Sequence, residues 1–278
     1  MTHQSNAGGR EWSQAMLADT SVRLGISDKA GQGQSASDLS TRRGLAALYR
    51  AAAMFGWDDL TFTHISARIP DRSDRYLINE YGLAFNEITA ANLVEINAKG
   101  EAVDTPDVDV NPAGFIIHSA VHQNRPDAHY VIHLHSKDGV AVAAQKDGLL
   151  PISQQSLMIY DSIAYHDYGG IVDDEQEQKA LLADAGDKNI VILRNHGVLI
   201  MGPSPEAVFL NAYFYQTACS IQIAGSSGEI NLLSDSLISK VREQKVEMSK
   251  SNSGSTGAMK AWNVVLRRLM AEDSSFLY

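Results

Sequence analysis

The chain has 278 residues, 44% of them hydrophobic and 20% charged, enough apolar material to bury a full core in one domain. Its formal net charge of -10, with no basic stripe, opposes binding to nucleic acid or to an anionic membrane surface. Cys219 is the single cysteine, which excludes an intrachain disulfide; with no apolar leader and no run of about 18 apolar residues, the expected location is the cytoplasm.

Residues 1–37 are polar and rich in Gly, Ser, Gln and Asp, and predict a flexible N-terminal tail ending in Gly31-Gln32-Gly33-Gln34-Ser35. From about Asp38 the character changes. Leu45, Leu48, Ala52 and Phe55 recur at helical spacing, Ser40 or Thr41 can cap the start, Gly56 can end the helix, and Trp57 then packs. Ile65–Pro70 and Arg75–Ile78 predict a strand pair around a polar turn at 71–74. Leu93–Ile96 and Glu101–Val103 repeat the pattern around Lys99-Gly100. Asn111 and Pro112 supply a cap and first turn for a helix through about Asn124, stopped by Arg125-Pro126-Asp127.

The next stretch, Tyr130-Val131-Ile132-His133-Leu134-His135, reads as a buried strand. Side chains alternate across a strand, so His133 and His135 project from one face, one pleat apart. Two imidazoles that close can chelate a metal ion; the competing reading is a pair of core histidines satisfied by hydrogen bonds. Ser136–Gln145 predicts a short helix, Pro151–Gly170 is mixed, and Asp173–Ala185 is helical with an acidic front. Asn189–Leu193 is an aliphatic strand running into Asn195-His196-Gly197. A histidine held there by a glycine turn is well placed to join a ligand pair from another strand. Three histidines on rigid strands with an open coordination position fit a catalytic metal site better than a closed structural one.

Gly197–Gly202 suggests a further strand, and a long helix runs from Ser204-Pro205-Glu206 to about Ala224. Its stripe of Val208, Ala212, Tyr215, Cys219 and Ile223 reads as core packing, the thiol included. Asn252–Gly257 reads as a mobile joint before a terminal helix around Trp262–Met270. The organisation is thus the tail, one layered α/β domain over 38–250, and a C-terminal extension with a short helix over 251–278.

With both histidine segments placed, residues 44–225 resemble the class II aldolase/adducin family. The resemblance rests on the order and spacing of Thr61-Phe62-Thr63-His64-Ile65-Ser66, Asn79-Glu80-Tyr81-Gly82-Leu83, Arg125-Pro126-Asp127, His133-Leu134-His135 and Asn195-His196-Gly197. Asn111-Pro112-Ala113-Gly114-Phe115 and Ala164-Tyr165-His166-Asp167-Tyr168 look most like the adducin head and its bacterial relatives. The resemblance implies a three-layer α/β/α fold around a mainly antiparallel sheet, and a homotetramer with active sites at subunit interfaces. It also makes His133, His135 and His196 ligands of a divalent metal. Zn²⁺ is the first choice, with Fe(II) and Mn as alternatives, there to polarise a carbonyl and stabilise an enediolate.

Departures from the sugar-phosphate aldolases of that family are informative. Their Ser-Ser-Glu stretch aligns with Pro112-Ala113-Gly114, so the catalytic carboxylate and two phosphate-binding serines are missing. Their Gly-Asn loop reads Thr63-His64, their phosphate loop reads Tyr81-Gly82, and a tyrosine lent across the interface falls on Gln155. Phosphate recognition needs convergent N–H and hydroxyl donors, most of which have gone. The substrate contacts implied are His64, Ser66, Tyr81 and Gly82. For proton transfer the candidates are His64, Tyr81 and Glu80, with Glu87 as a further nearby acid; each also has a bland reading as a packed or solvated side chain. His118 and His122 stand at i and i+4 on the predicted helix, a chelating spacing more often packed or solvated. His166 and its neighbours read as interface packing.

Three functions are consistent with these residues. One is a metal-dependent lyase, cleaving a C–C bond or decarboxylating a small unphosphorylated hydroxy-carbonyl or keto-acid. Another is a non-haem iron oxygenase on the same three histidines. The last is a non-catalytic scaffold of the adducin-head kind, which the missing carboxylate at Gly114 favours and the retained histidines oppose.

Overall fold

The computed structural model describes residues 35–278 apart from 71, 73, 104, 106, 171–174 and 251–252. Its centre is one seven-stranded sheet of β1 (His64–Arg68), β2 (Arg75–Ile78), β3 (Val94–Asn97), β4 (Tyr130–Leu134), β5 (Ile163–His166), β6 (Ile190–Leu193) and β7 (Gly197–Gly202), in the order β3-β2-β1-β4-β7-β6-β5. Five pairings are antiparallel and only β5–β6 is parallel. The short turn at 194–196 can return β7 antiparallel to β6, whereas the parallel β5–β6 pair needs a helical crossover. Ile132, Leu134, Ile192 and Ile200 face one side, and Val131, Val191, Leu199 and Met201 the other. Both faces are covered, which is why β6 reads as an unbroken aliphatic run.

Helices α1 (Ala36–Met54), α3 (Lys137–Ala143), α4 (Gln154–Ile159), α6 (Pro205–Gly225) and α8 (Ser253–Glu272) contribute to the first face. Helices α2 (Pro112–Asn124) and α5 (Glu175–Ala185) cover the second, and α7 (Asp235–Lys250) packs outside α4 and α8. This is the three-layer α/β/α arrangement around a mainly antiparallel sheet expected from the sequence.

Several boundaries differ from the sequence reading. Helix α1 starts at Ala36, within the stretch read as tail, because the Ser35 hydroxyl accepts the Asp38 N–H at 3.2 Å. Thr41 does not cap; its hydroxyl donates to Ser37 O, one turn back. The apolar stripe underestimates burial, since every residue from Thr41 to Tyr49 is buried. Arg42 and Arg43 tolerate this by pairing: Arg42 Nε meets Asp38 Oδ1 at 3.2 Å and Arg43 Nε donates to Leu277 O at 3.1 Å. The predicted strand at 101–103 shrinks to a single bridge between Ile96 and Ala102. Residues 1–34 of the flexible tail expected over 1–37 lie outside the described residues.

The largest difference is at the C-terminus. Residues 253–257 are helical rather than a joint, in a 20-residue helix rather than a short one. Gly254 and Gly257 are poor helix formers, but docking of a hydrophobic stripe overrides local propensity. Trp262, Leu266, Phe276 and Leu277 are all at most 1% exposed and belong to the same core as α1 and β4. The backbone joins in, with Ala90 N–H donating to Phe276 O at 2.9 Å and Ala91 N–H to Tyr278 O at 2.7 Å. Trp262→Ala is therefore expected to cost about 3–5 kcal/mol, read as a fall in the urea midpoint. Val264→Ser on the exposed side of the same helix should shift stability by no more than about 0.5 kcal/mol.

Candidate metal centre

Strand β4 carries His133 and ends at Leu134, with His135 one residue beyond. The turn between β6 and β7 returns His196 to the same place. Asn195 adopts a left-handed φ of 59° in that turn, and Gly197 follows because a Cβ there would collide with Leu134 O. The Nε2 atoms of His133 and His196 lie 2.8 and 3.0 Å from Nε2 of His135. All three ligand atoms fall within 4.8 Å of one another.

The protons on these rings follow from the outward contacts. His133 Nδ1 lies 3.1 Å from Val198 O, and a carbonyl can only accept, so Nδ1 carries the hydrogen and Nε2 is bare. His135 Nδ1 lies 3.2 Å from Asp59 Oδ2, which imposes the same tautomer. Burial lowers the pKa of His133 well below its ordinary 6.5, and burial with repulsion from His135 lowers that of His196 to about 4. Converging imidazole lone pairs, such as those of His133 and His135, repel one another unless a cation sits among them. The donor set therefore fits a divalent ion, and three imidazoles suit Zn²⁺, Fe(II) or Mn(II).

Behind the triad runs a second row of imidazoles. His64 is the cross-strand partner of His133, their rings 5.4 Å apart, and His118 of α2 lies 4.3 Å beyond His64. His122 Nδ1 donates to Ala128 O at 2.9 Å, so its Nε2 accepts the Ser66 hydroxyl hydrogen at 2.7 Å. Having spent its proton, Ser66 Oγ can only accept from His118 Nδ1 at 2.6 Å. His64 Nε2 donates to Gly114 O at 2.8 Å. His64 Nδ1 and His118 Nε2 are thereby left as buried acceptors without partners. The i, i+4 pair His118/His122 is thus packed around one hydroxyl rather than chelating.

A Cβ built on Gly114 would lie 2.6 Å from the His64 ring. The imidazole occupies the space that a side chain at 114 would need, which gives this glycine a steric reason. His64, named from the sequence, stands beside the triad, its ring 5.4 Å from that of His133. Ser66 is not a surface for substrate: it is fully buried and its hydroxyl is committed to two imidazoles, which corrects that expectation. Glu80, Tyr81 and Gly82 sit on the loop after β2, where Tyr81 N–H donates to Asp109 O at 2.9 Å. Glu87 accepts from Ala84 N–H at 2.8 Å as a local cap. His166 is clamped within the chain, bonded to Asp184 Oδ2 at 2.8 Å and Glu177 Oε1 at 2.9 Å. Burial opposes its charge, but the two carboxylates outweigh burial and raise its pKa. Cys219 is buried beside Tyr215 with its thiol pushed up to about 12, in keeping with a packing role. Sequence reasoning missed Asp59, whose Asp58-Asp59 setting looks like an ordinary solvated turn.

Two outcomes test this arrangement. Burial lowers the pKa of His64 to about 4 and of His122 to about 3, below the unfolded value of 6.5. The unfolded chain then binds more protons between those limits, so stability is complete above pH 6.5 and declines as pH falls through the window. His122→Gln should make the fall of the urea midpoint between pH 6.5 and 4 shallower. Gly114→Ala should cost about 1–3 kcal/mol against the His64 ring, yet stabilise by up to about 1 kcal/mol in a His64→Ala background, where only helix propensity remains. A double-mutant cycle of thermal midpoints reads the difference.

The family described as Class II Aldolase and Adducin N-terminal domain matches residues 43–223. A Caulobacter vibrioides protein whose name places it with the class 2 aldolases, without a reaction, is 45% identical over 245 residues, covering 87% of this chain and 93% of that protein. Mouse alpha-adducin is 43% identical over 195 residues, covering 68% of this chain but 26% of the adducin. An aldolase II superfamily protein from Pseudomonas syringae superposes with a TM-score of 0.84 at 42% identity, covering 89% of this chain and 98% of that one. L-fuculose 1-phosphate aldolase from Glaciozyma antarctica superposes at 0.73 with 25% identity, covering 85% and 92%. By family match, sequence identity and shared fold, the chain belongs to the class II aldolase and adducin family.

Proposed function

We propose that the protein is a metal-dependent lyase that cleaves a C–C bond in, or decarboxylates, a small unphosphorylated hydroxy-carbonyl or keto-acid. The observation that carries this reading is the convergence of three Nε2 atoms, those of His133 and His135 left bare by the partners of their Nδ1 atoms, on buried or half-buried rings. A purely structural ion prefers a closed set of four protein ligands, and the described histidines, cysteines and carboxylates supply three. When bound, the ion supplies a Lewis acid beside the substrate carbonyl.

The chain's own groups divide the remaining work. His133, His135 and His196 hold the ion and fix its position on the end of β4 and the β6–β7 turn. His64 Nδ1, a bare acceptor in the row beside His133, takes the proton that leaves the substrate, and the Nε2–H bond to Gly114 O keeps that ring oriented. Tyr81, 40% exposed, with Glu80 beside it, is the assigned hydroxyl donor of the loop after β2. Lack of phosphate is supported by the commitment of Ser66 to His118 and His122, and by the imidazole filling the space at Gly114. Exposed Tyr168, its ring 6.0 Å from that of His196, with exposed Leu60 and Phe62 in the turn after Asp59, supports the homo-oligomer with shared sites that the family likeness implies, a homotetramer. No helix of the described residues is long and apolar enough to cross a membrane.

The similarity to alpha-adducin favours one rival, a scaffold that keeps the histidines without turnover. Elemental analysis of protein purified without chelator separates the two. About one zinc, iron or manganese per chain, lost in His133→Ala/His135→Ala, together with turnover of an aldehyde, hydroxy-acid or keto-acid, is the expected result. A metal-free protein that folds normally would remove the lyase reading and leave the scaffold.

A further inference from the structure

We propose that Asp59 is the positioning residue of the metal centre, fixing the tautomer and direction of His135 and setting a negative charge one imidazole away from the cation. The role rests on the metal reading above. His133 lies inside β4, where the carbonyl of Val198 on the neighbouring strand fixes its Nδ1–H. His135 lies one residue past the strand and is partly exposed, so the ladder offers it no such carbonyl. Asp59 Oδ2 takes that place, 3.2 Å from Nδ1. An ionised carboxylate only accepts, so Nδ1 holds the hydrogen and Nε2 faces the other two ligands bare.

The backbone around Asp59 is built for that presentation. Phe62 N–H donates to Asp59 O at 2.9 Å, closing a tight turn, and Asp59 N–H donates to Thr63 Oγ1 at 3.3 Å. Thr63 is buried and leads directly into His64 and β1. Leu60 inside the turn holds a φ of 48°, in the left-handed region that a branched side chain resists. Its side chain is 72% exposed, so no burial of its own offsets the strain. What the strained turn achieves is the placement of one carboxylate against one ligand. Charge points the same way. Three neutral imidazoles leave both charges of a divalent ion uncompensated, and Asp59 is the acid whose hydrogen bond reaches the ligand set.

The test uses the full chain stripped of metal. Zinc affinity is measured by competition with a chromogenic chelator, and the histidine tautomers of the zinc-free protein by ¹⁵N NMR. Asp59→Ala is expected to weaken zinc binding by about 10- to 100-fold. Asp59→Asn, which keeps an acceptor oxygen without the charge, should fall between it and the parent. Asp58→Ala, altering the exposed neighbour, should stay within about twofold. In the zinc-free protein His135 should be a single Nδ1–H tautomer, and a mixture in Asp59→Ala. Zinc affinity unchanged in Asp59→Ala, or an unaltered His135 tautomer, overturns the role. Should the parent bind no zinc, the metal reading fails separately, and the tautomer measurement alone then decides for or against Asp59.

Discussion

The antiparallel register between β4 and β7 is the constraint on which the rest of the site depends. Leu134 opposite Val198 and His133 opposite Leu199 leave a turn at 194–196 long enough only to bring His196 beside His135. Side chains alternate along a strand, so a slip of one residue would send His133 into the opposite, aliphatic face. That face is packed against α1, α6 and α8, while the face bearing His133 also receives His64 and Ser66 from β1. Both faces being buried makes the register expensive to lose. The hydrophobic core thereby fixes the positions of polar groups that contribute little to it.

Once the rings are placed, hydrogen-bond arithmetic assigns their protons. Carbonyls of Val198, Ala128 and Gly114 accept from one nitrogen of His133, His122 and His64 respectively, and the other nitrogen of each is left bare. Ser66 transmits the assignment from His122 to His118 because a hydroxyl has a single hydrogen to give. Charging all four buried imidazoles of this cluster at once would be ruinous, and burial keeps those of His64, His118, His122 and His133 neutral at rest. The same neutrality that folding demands is the protonation state that metal ligation requires. At His133, stability and the proposed metal ligation place the same demand on one ring.

Much of this was legible in the sequence because it was local. The spacing of His133 and His135 on an apolar strand, and the Asn-His-Gly turn after another, are patterns of side-chain alternation and turn chemistry. The order of helices and strands over residues 38–225 likewise follows from periodicity, apart from α4 and β5 in the stretch 151–170, which has no clear pattern. What was not legible depended on contacts between distant segments. Ser66 looks like a substrate hydroxyl until α2 lays His118 and His122 across it. The helix over 253–272 has two glycines in its first turns and is held by Trp262 and Leu266 docking into a core formed elsewhere. Asp59 carries no periodic signal at all, and only the turn through Leu60 brings it to His135.

Gly114 shows how a reading by resemblance and a reading by geometry differ. By resemblance the position is a loss, a place where sugar-phosphate aldolases have a carboxylate. By geometry it is the complement of His64, whose ring stands where a side chain at 114 would begin. The two positions are thus one choice rather than two: an imidazole offered from β1, or a side chain offered from α2, but not both in this backbone. With the imidazole chosen, the group beside the triad is a neutral acceptor instead of an anion. Under the metal reading proposed above, a neutral base next to a divalent ion, with Asp59 behind His135 as the nearest counter-charge, would leave the centre net positive and favour an anionic substrate such as a keto-acid carboxylate over a neutral sugar. Steric exclusion at one glycine therefore reaches through to the charge of the molecule the site can hold.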